Sequence, residues 1–100
     1  MAAKEIKWTK TAAKNFHKTV SYLMENWPDK VVQDFIHHTE DILDLLSEHY
    51  ELGEIQDSAR EIRGILITKH NKLFYRVDGN RLIVLKIFDT RQNPRKLRFR

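Results

Sequence analysis

Cations crowd the end of this chain. Arg63, Lys69, Lys72, Arg76, Lys86, Arg91, Arg95, Lys96, Arg98 and Arg100 fall within its last forty positions. Guanidinium groups bind phosphates and carboxylates as a two-pronged fork and stay charged in any ordinary site. Such a set can stabilise the charge that grows on a phosphorane during RNA cleavage. It can equally serve as plain docking charge, and the residues alone leave both open. Residues 61–100 carry 11 Lys/Arg against 3 Asp/Glu, net +8, whereas residues 1–60 carry 7 against 11, net −4. A basic half points to a phosphate-rich or acidic partner. A solubilising surface is the plain alternative.

Other chemistries find less support. The histidines His17, His37, His38, His49 and His70 show no H-E-x-x-H spacing. Neighbours such as His37 and His38 point about 100° apart on a helix and cannot grip one ion. With no cysteine, disulfides and thiolate metal sites are excluded. Ser21, Ser47 and Ser58 lie in no G-x-S-x-G elbow. Gly53, Gly64 and Gly79 are isolated, so no phosphate-cradling loop is present. No metal and no cofactor is implied. No apolar run approaches the roughly 20 residues a membrane span needs. MAAKEIKW lacks the apolar stretch of a secretory signal. A cytoplasmic protein with no membrane partner, folded as one domain over residues 1–100, is the expectation.

The elements that must position the cations can be read in turn. Glu5 to Trp8 reads as a first strand, with Thr9 or Thr11 available to cap a helix. Ala12, Phe16, Val20, Leu23 and Trp27 then make one apolar stripe. Lys10, Lys14 and Lys18 share another face, read as solvated, with anion binding the alternative. Asn26-Trp27-Pro28-Asp29 breaks the pattern, and a second helix is expected from about Pro28 to His49. Its inner stripe is Val32, Phe35, Thr39, Ile42 and Leu46, widened by Val31, Ile36, Leu43 and Leu45. Its acidic face, Asp34, Asp41, Asp44 and Glu48, argues against DNA reading by a helix-turn-helix. Tyr50 to Arg60 reads as a polar connection.

Three strands should follow as an antiparallel meander. Glu61 to Thr68 is the first, turned by Lys69-His70-Asn71. Lys72 to Val77 alternates, with Leu73, Tyr75 and Val77 on one face and Lys72, Phe74 and Arg76 on the other. Asp78-Gly79-Asn80 suits a tight hairpin turn. Leu82 to Phe88 is apolar apart from Lys86. The order β-α-α-β-β-β gives an α+β fold, an antiparallel helical hairpin packed on a twisted, mainly antiparallel sheet.

These pieces resemble the RelE/ParE superfamily of toxins from bacterial type II toxin–antitoxin systems. The carriers are Trp8-Thr9 with Ala12-Ala13, Glu61-Ile62-Arg63, Leu73-Phe74-Tyr75-Arg76-Val77 and Ile87-Phe88-Asp89-Thr90-Arg91-Gln92-Asn93-Pro94. The closing D-T-R-Q-N-P is similar to the ParE-like, plasmid-stabilisation branch. The resemblance implies a cytoplasmic growth inhibitor, neutralised by a cognate antitoxin, that binds DNA gyrase without chemistry of its own. The RelE-like alternative is a ribosome-dependent endoribonuclease that cuts mRNA, with Arg63, Lys72 and Arg91 as the implied catalytic residues. A degenerate toxin that only binds its antitoxin is a third possibility. Ile65 and Phe99 depart from the RelE-like pattern, which expects a lysine and a tyrosine there. Residues expected to contact target or antitoxin are Arg63, Tyr75, Arg76, Lys86, Arg91 and Arg95. The antitoxin is expected to lay an acidic amphipathic segment between helices and sheet.

Overall fold

In the computed structural model, which describes residues 3–97, Glu5–Trp8 forms strand β1. So short a strand is held by its neighbour: it pairs in parallel with β5 (Arg81–Asp89), from Glu5 beside Arg81 to Trp8 beside Val84. Thr9 then starts helix α1 (Lys10–Asn26). Its hydroxyl accepts the Ala12 N–H at 3.1 Å and donates to the Val84 carbonyl at 2.9 Å. One side chain thereby satisfies an orphan helix donor and ties the helix to the sheet. Trp27 is extended, and Pro28, lacking an N–H, opens helix α2 (Asp29–Glu48).

The remaining strands are β2 (Glu54–Asp57), β3 (Ile62–Thr68) and β4 (Asn71–Asp78), giving the sheet order β1-β5-β4-β3-β2. All pairings except β1 with β5 are antiparallel. The hairpin turn forms at Gly79-Asn80, with Asp78 opposite Arg81. Gly79 takes φ +59°, the left-handed conformation the turn requires. The architecture is the expected helical pair on a mainly antiparallel sheet.

Strand β2 lies inside the stretch expected to be a polar connection. Its residues, Glu-Ile-Gln-Asp, are exposed at the first three positions, so no alternation announces a strand. It exists because β3 offers an edge, placing Glu54 beside Gly64 and Ile55 beside Arg63. A single-turn 3-10 helix, Tyr50–Leu52, bridges from α2 to it. Glu61, expected in the strand, instead sits in the preceding turn at φ +56°.

Phe35, Leu43 and Leu46 of α2 and Ala12 of α1 meet Ile67, Leu73, Tyr75, Leu82, Val84 and Ile87 of the sheet in one core. Phe16 stacks on Phe35 at 5.6 Å and meets Trp8 in a T-shaped contact at 5.4 Å. Each fully buried side chain of this size stabilises the fold by about 1.5–3 kcal/mol. Two members of the expected stripes stay outside: Trp27, in the break after α1, is 54% exposed, and Leu45 is 47% exposed.

A bulge decides which residues of β5 reach that core. Phe74 pairs with Lys86 but Tyr75 pairs with Val84, so Leu85 is an extra residue. Strict alternation from Leu82 and Val84 would aim Lys86 at the helices. The extra residue reverses the phase, turning Ile87 inward and Lys86 to the opposite face beside Phe74. Beyond the end of β1, the margin of β5 is closed by α1: the Asn15 side-chain carbonyl accepts the Ile87 N–H at 3.2 Å.

Candidate docking groove and the placement of the cations

Arg63 lies on the helix side of the sheet, across from Tyr75. Its guanidinium donates to the carbonyls of Glu51 at 3.2 Å and Gly53 at 2.8 Å. It also lies 5.9 Å from the centre of the Tyr50 ring. Beside it the Tyr75 hydroxyl donates to the Tyr50 carbonyl and accepts the Gly53 N–H at 3.0 Å. Two side chains from central strands thus satisfy the backbone where α2 unwinds into β2. Burial pushes the Tyr75 phenol above its ordinary value, against the opposing pull of the Gly53 N–H. Tyr75, expected at a contact surface, has no exposed area. Its ring belongs to the core and its hydroxyl to this backbone knot.

Lys72 stands on the other face. It pairs with Leu66 across β3, and alternation puts Gly64, not Arg63, on its side. Its ammonium donates to Gln56 Oε1 at 3.1 Å and lies 5.6 Å from the Phe74 ring centre. A Cβ at Gly64 would meet Lys72 Cε at 2.9 Å and Gln56 Cγ at 3.1 Å, so glycine makes room for this packing. Arg76 and Lys86 share this face by the same alternation.

Arg91 follows the end of β5 and grips Asp89. Its Nε and Nη2 donate to the two carboxylate oxygens at 3.0 and 2.8 Å, and its backbone N–H donates to Oδ1 at 2.9 Å. The guanidinium holds the Asp89 carboxyl below its usual value, and the carboxylate raises Arg91 in return. Tyr22, His70, Asp89 and Arg91 line one and the same cavity. Arg95 is exposed on the short 3-10 turn Pro94–Lys96. Arg98, Phe99 and Arg100 lie outside the described residues.

Around Arg91 an open groove runs between α1, the start of α2, the β3–β4 turn and the end of β5. Leu23, Val31, Phe35 and Ile87 contribute apolar lining, and Tyr22 and Trp27 are aromatic residues at its surface. Lys18, Lys69, Arg91 and Lys96 supply cations, against Asp34 and Asp89, while Lys86 borders the groove from the strand although its phase turns it to the opposite face. The structure therefore brings Arg91 to one groove with Lys69 and Lys96, with Lys86 at its margin. It leaves Arg63 on the helix side near β2 and Lys72 across the sheet from it. In the sequence Trp27 belongs to a helix stripe and Tyr22 to no pattern; their exposure is the missing signal. Among the described residues, no cluster of three metal-ligating side chains occurs, and no helix is long and apolar enough to cross a membrane.

Two helices on a sheet of this order, with cations gathered past its last strand, describe a class of small toxins. The family model for the ParE toxin of the type II toxin–antitoxin system parDE matches residues 6–94, and the chain belongs to that family. It is a toxin of a type II toxin–antitoxin system. No curated protein matches the sequence. Among solved structures, the chromosomal ParDE system from P. aeruginosa is similar with a TM-score of 0.64 at 18% identity, over 87% of this chain and 96% of that one. A YoeB/ParE toxin from Agrobacterium tumefaciens follows with 0.63 at 15% identity, covering 85% and 96%. The RelBE2 toxin–antitoxin complex from Mycobacterium tuberculosis gives 0.58 at 15% identity, covering 88% and 99%. At these identities the likeness is one of fold.

Proposed function

We propose that this toxin arrests bacterial growth by binding DNA gyrase in the cytoplasm, and that a cognate antitoxin keeps it silent. The observation that carries the binding mode is the separation of Arg63, Lys72 and Arg91. Cleavage of a phosphodiester needs charge gathered around one phosphorane. Here Arg63 serves backbone carbonyls on one face, Lys72 is on the other, and Arg91 is clasped by Asp89. The β3 residues that share the face of Lys72 are Leu66, opposite Lys72 itself, and Gly64, opposite Phe74, and neither carries charge. Membership of the ParE family supports gyrase as the target. Arg76, Lys86, Arg91 and Arg95 are the contact residues of this reading.

The test uses the purified toxin in two assays. Loss of supercoiling by gyrase, with mRNA left intact on translating ribosomes, is the expected result. Codon-specific mRNA cuts with normal supercoiling would replace the proposal with ribosome-dependent cleavage. Growth unaffected by expression of the toxin alone would leave a protein that only binds its antitoxin.

A further inference from the structure

We propose that the outer face of α1 is a contact for the phosphate backbone of double-stranded DNA, carried by Lys10, Lys14 and Lys18. The inference rests on the gyrase reading only for the source of the duplex, the segment that gyrase itself holds. What singles out this face is its cost to the helix. In α2 the charges stand in favourable places: Asp29 lies in the first turn, and Lys30 pairs with Asp34 one turn later at 3.2 Å. α1 reverses that pattern. Its first residue is Lys10, its first turn holds no acid, and Glu25 is its one acidic residue. Lys10, Lys14 and Lys18 follow one another at steps of four, a spacing at which like charges repel. Among the described residues none of the three makes an ion pair. Asp34, which lines the groove with Lys18, is taken by Lys30. Cations that oppose the helix dipole and one another, with no partner in the chain, break a local rule that α2 obeys, and such breaks mark surfaces kept for a partner.

The chemistry of the face selects the partner. From Lys10 to Ser21 its exposed residues are Lys10, Thr11, Lys14, His17, Lys18 and Ser21, all of them able to donate to a phosphate oxygen. No apolar side chain stands among them, so the face lacks the desolvated anchor that a protein partner would grip. No Phe, Tyr or Trp is there to stack an unpaired base, which sets a duplex ahead of a single strand. Each step of four residues advances an ammonium group about 6 Å along the axis, an interval that suits successive phosphates of one strand. Lysine, a flexible point charge, supplies such contacts without reading sequence. At the far end Lys18 reaches the groove that holds Lys69, Arg91 and Lys96, so the cationic track continues past the helix.

The experiment compares the whole chain with two variants of equal net charge. One combines Lys10→Gln, Lys14→Gln and Lys18→Gln; the other combines Lys30→Gln, Arg60→Gln and Arg81→Gln, three exposed cations placed elsewhere. Binding to short fluorescein-labelled DNA duplexes of unrelated sequence is followed by anisotropy over a range of salt. The α1 variant should lose about tenfold in affinity at low salt, and its slope of log affinity against log salt should become shallower by about 2–3. The other variant should stay within about threefold of wild type, with a slope changed by less than about 1. The melting temperature of the α1 variant should equal or exceed that of the wild type, since the repulsion along the helix is relieved. Equal losses in the two variants, an unchanged slope in the α1 variant, or tighter binding of a polyglutamate peptide than of DNA would overturn the proposal. So would a lower melting temperature of the α1 variant, because the lysines would then be serving the fold. The supercoiling assay keeps the two readings apart. An α1 variant that inhibits gyrase as strongly as the wild type overturns the DNA contact alone; a wild type that binds DNA without inhibiting gyrase overturns the target alone.

Discussion

Arg63 and Arg91 are the same side chain put to opposite uses. Arg63 faces carbonyl oxygens that cannot leave, in a corner where Tyr75 and Gly53 are buried and the Gly53 N–H has the Tyr75 hydroxyl as its acceptor. Arg91 faces a carboxylate two residues away on an exposed turn, which a competing anion can replace. A cation near buried backbone becomes part of the fold; one paired to a solvated anion stays available to partners. Position relative to the backbone, more than residue type, separates the two.

Four experiments can break or sharpen that contrast, and the largest effect is expected in the Arg63 corner. A Cβ at Gly53 would run into the Tyr75 hydroxyl and lie within 2.8 Å of its ring. Gly53→Ala should cost about 1–3 kcal/mol in a denaturant titration, because neither strand nor helix can retreat cheaply. A wild-type midpoint would show that the corner is loose and the contrast false.

Tyr75→Phe comes next, losing the hydroxyl that serves Tyr50 and Gly53, with an expected cost of about 1–3 kcal/mol. The same variant tests a pH dependence. Burial raises the folded-state phenol above the ordinary 10.0, so the unfolded chain ionises first. The contribution of the neutral phenol is complete below the ordinary value and is lost as pH rises through the folded-state one. Alkaline melts of Tyr75→Phe should fall less steeply than those of the wild type; parallel curves would contradict the assignment.

Arg63→Ala should lower stability by about 1–2 kcal/mol while leaving the proposed gyrase inhibition by the surviving folded protein within about threefold of wild type. Inhibition abolished in a fully folded variant would return Arg63 to the contact surface. At the exposed end the expected changes are smallest in stability and clearest in titration. The Asp89 carboxyl is held below the ordinary 3.8, so its pairing with Arg91 is intact above that pH and fades as pH falls through the lowered value. In Arg91→Ala the NMR titration of Asp89 should move back up towards 3.8, with little change in melting temperature.

Much of this fold is legible in the residues because it is dictated locally. The Thr9 cap, the Pro28 break, the alternation of β4 and the Gly79 turn each follow from the chemistry of one or two side chains. Strand β2 is invisible there because its polar residues adopt extended backbone only through β3, a contact no window of sequence contains. The candidate site is harder to read for a related reason. Alternation sorts Lys72 from Leu73 within a strand, but only the pairing register shows that Arg63 faces Tyr75 and that Leu66 faces Lys72. Trp27 satisfies a helical stripe on paper, and only the way the two helices meet reveals it, with Tyr22, at the surface.

The extra residue at Leu85 carries an implication for the shape of related chains. It acts as a half-step in a two-beat rhythm, so positions before and after it obey opposite rules about which letter must be greasy. Shortening β5 by that one residue would present an ammonium to the interior and strand an isoleucine outside, unless 86 and 87 traded identities at once. Homologues that lack the half-step should therefore show the swapped pair, and a chain with only one of the two changes should not fold.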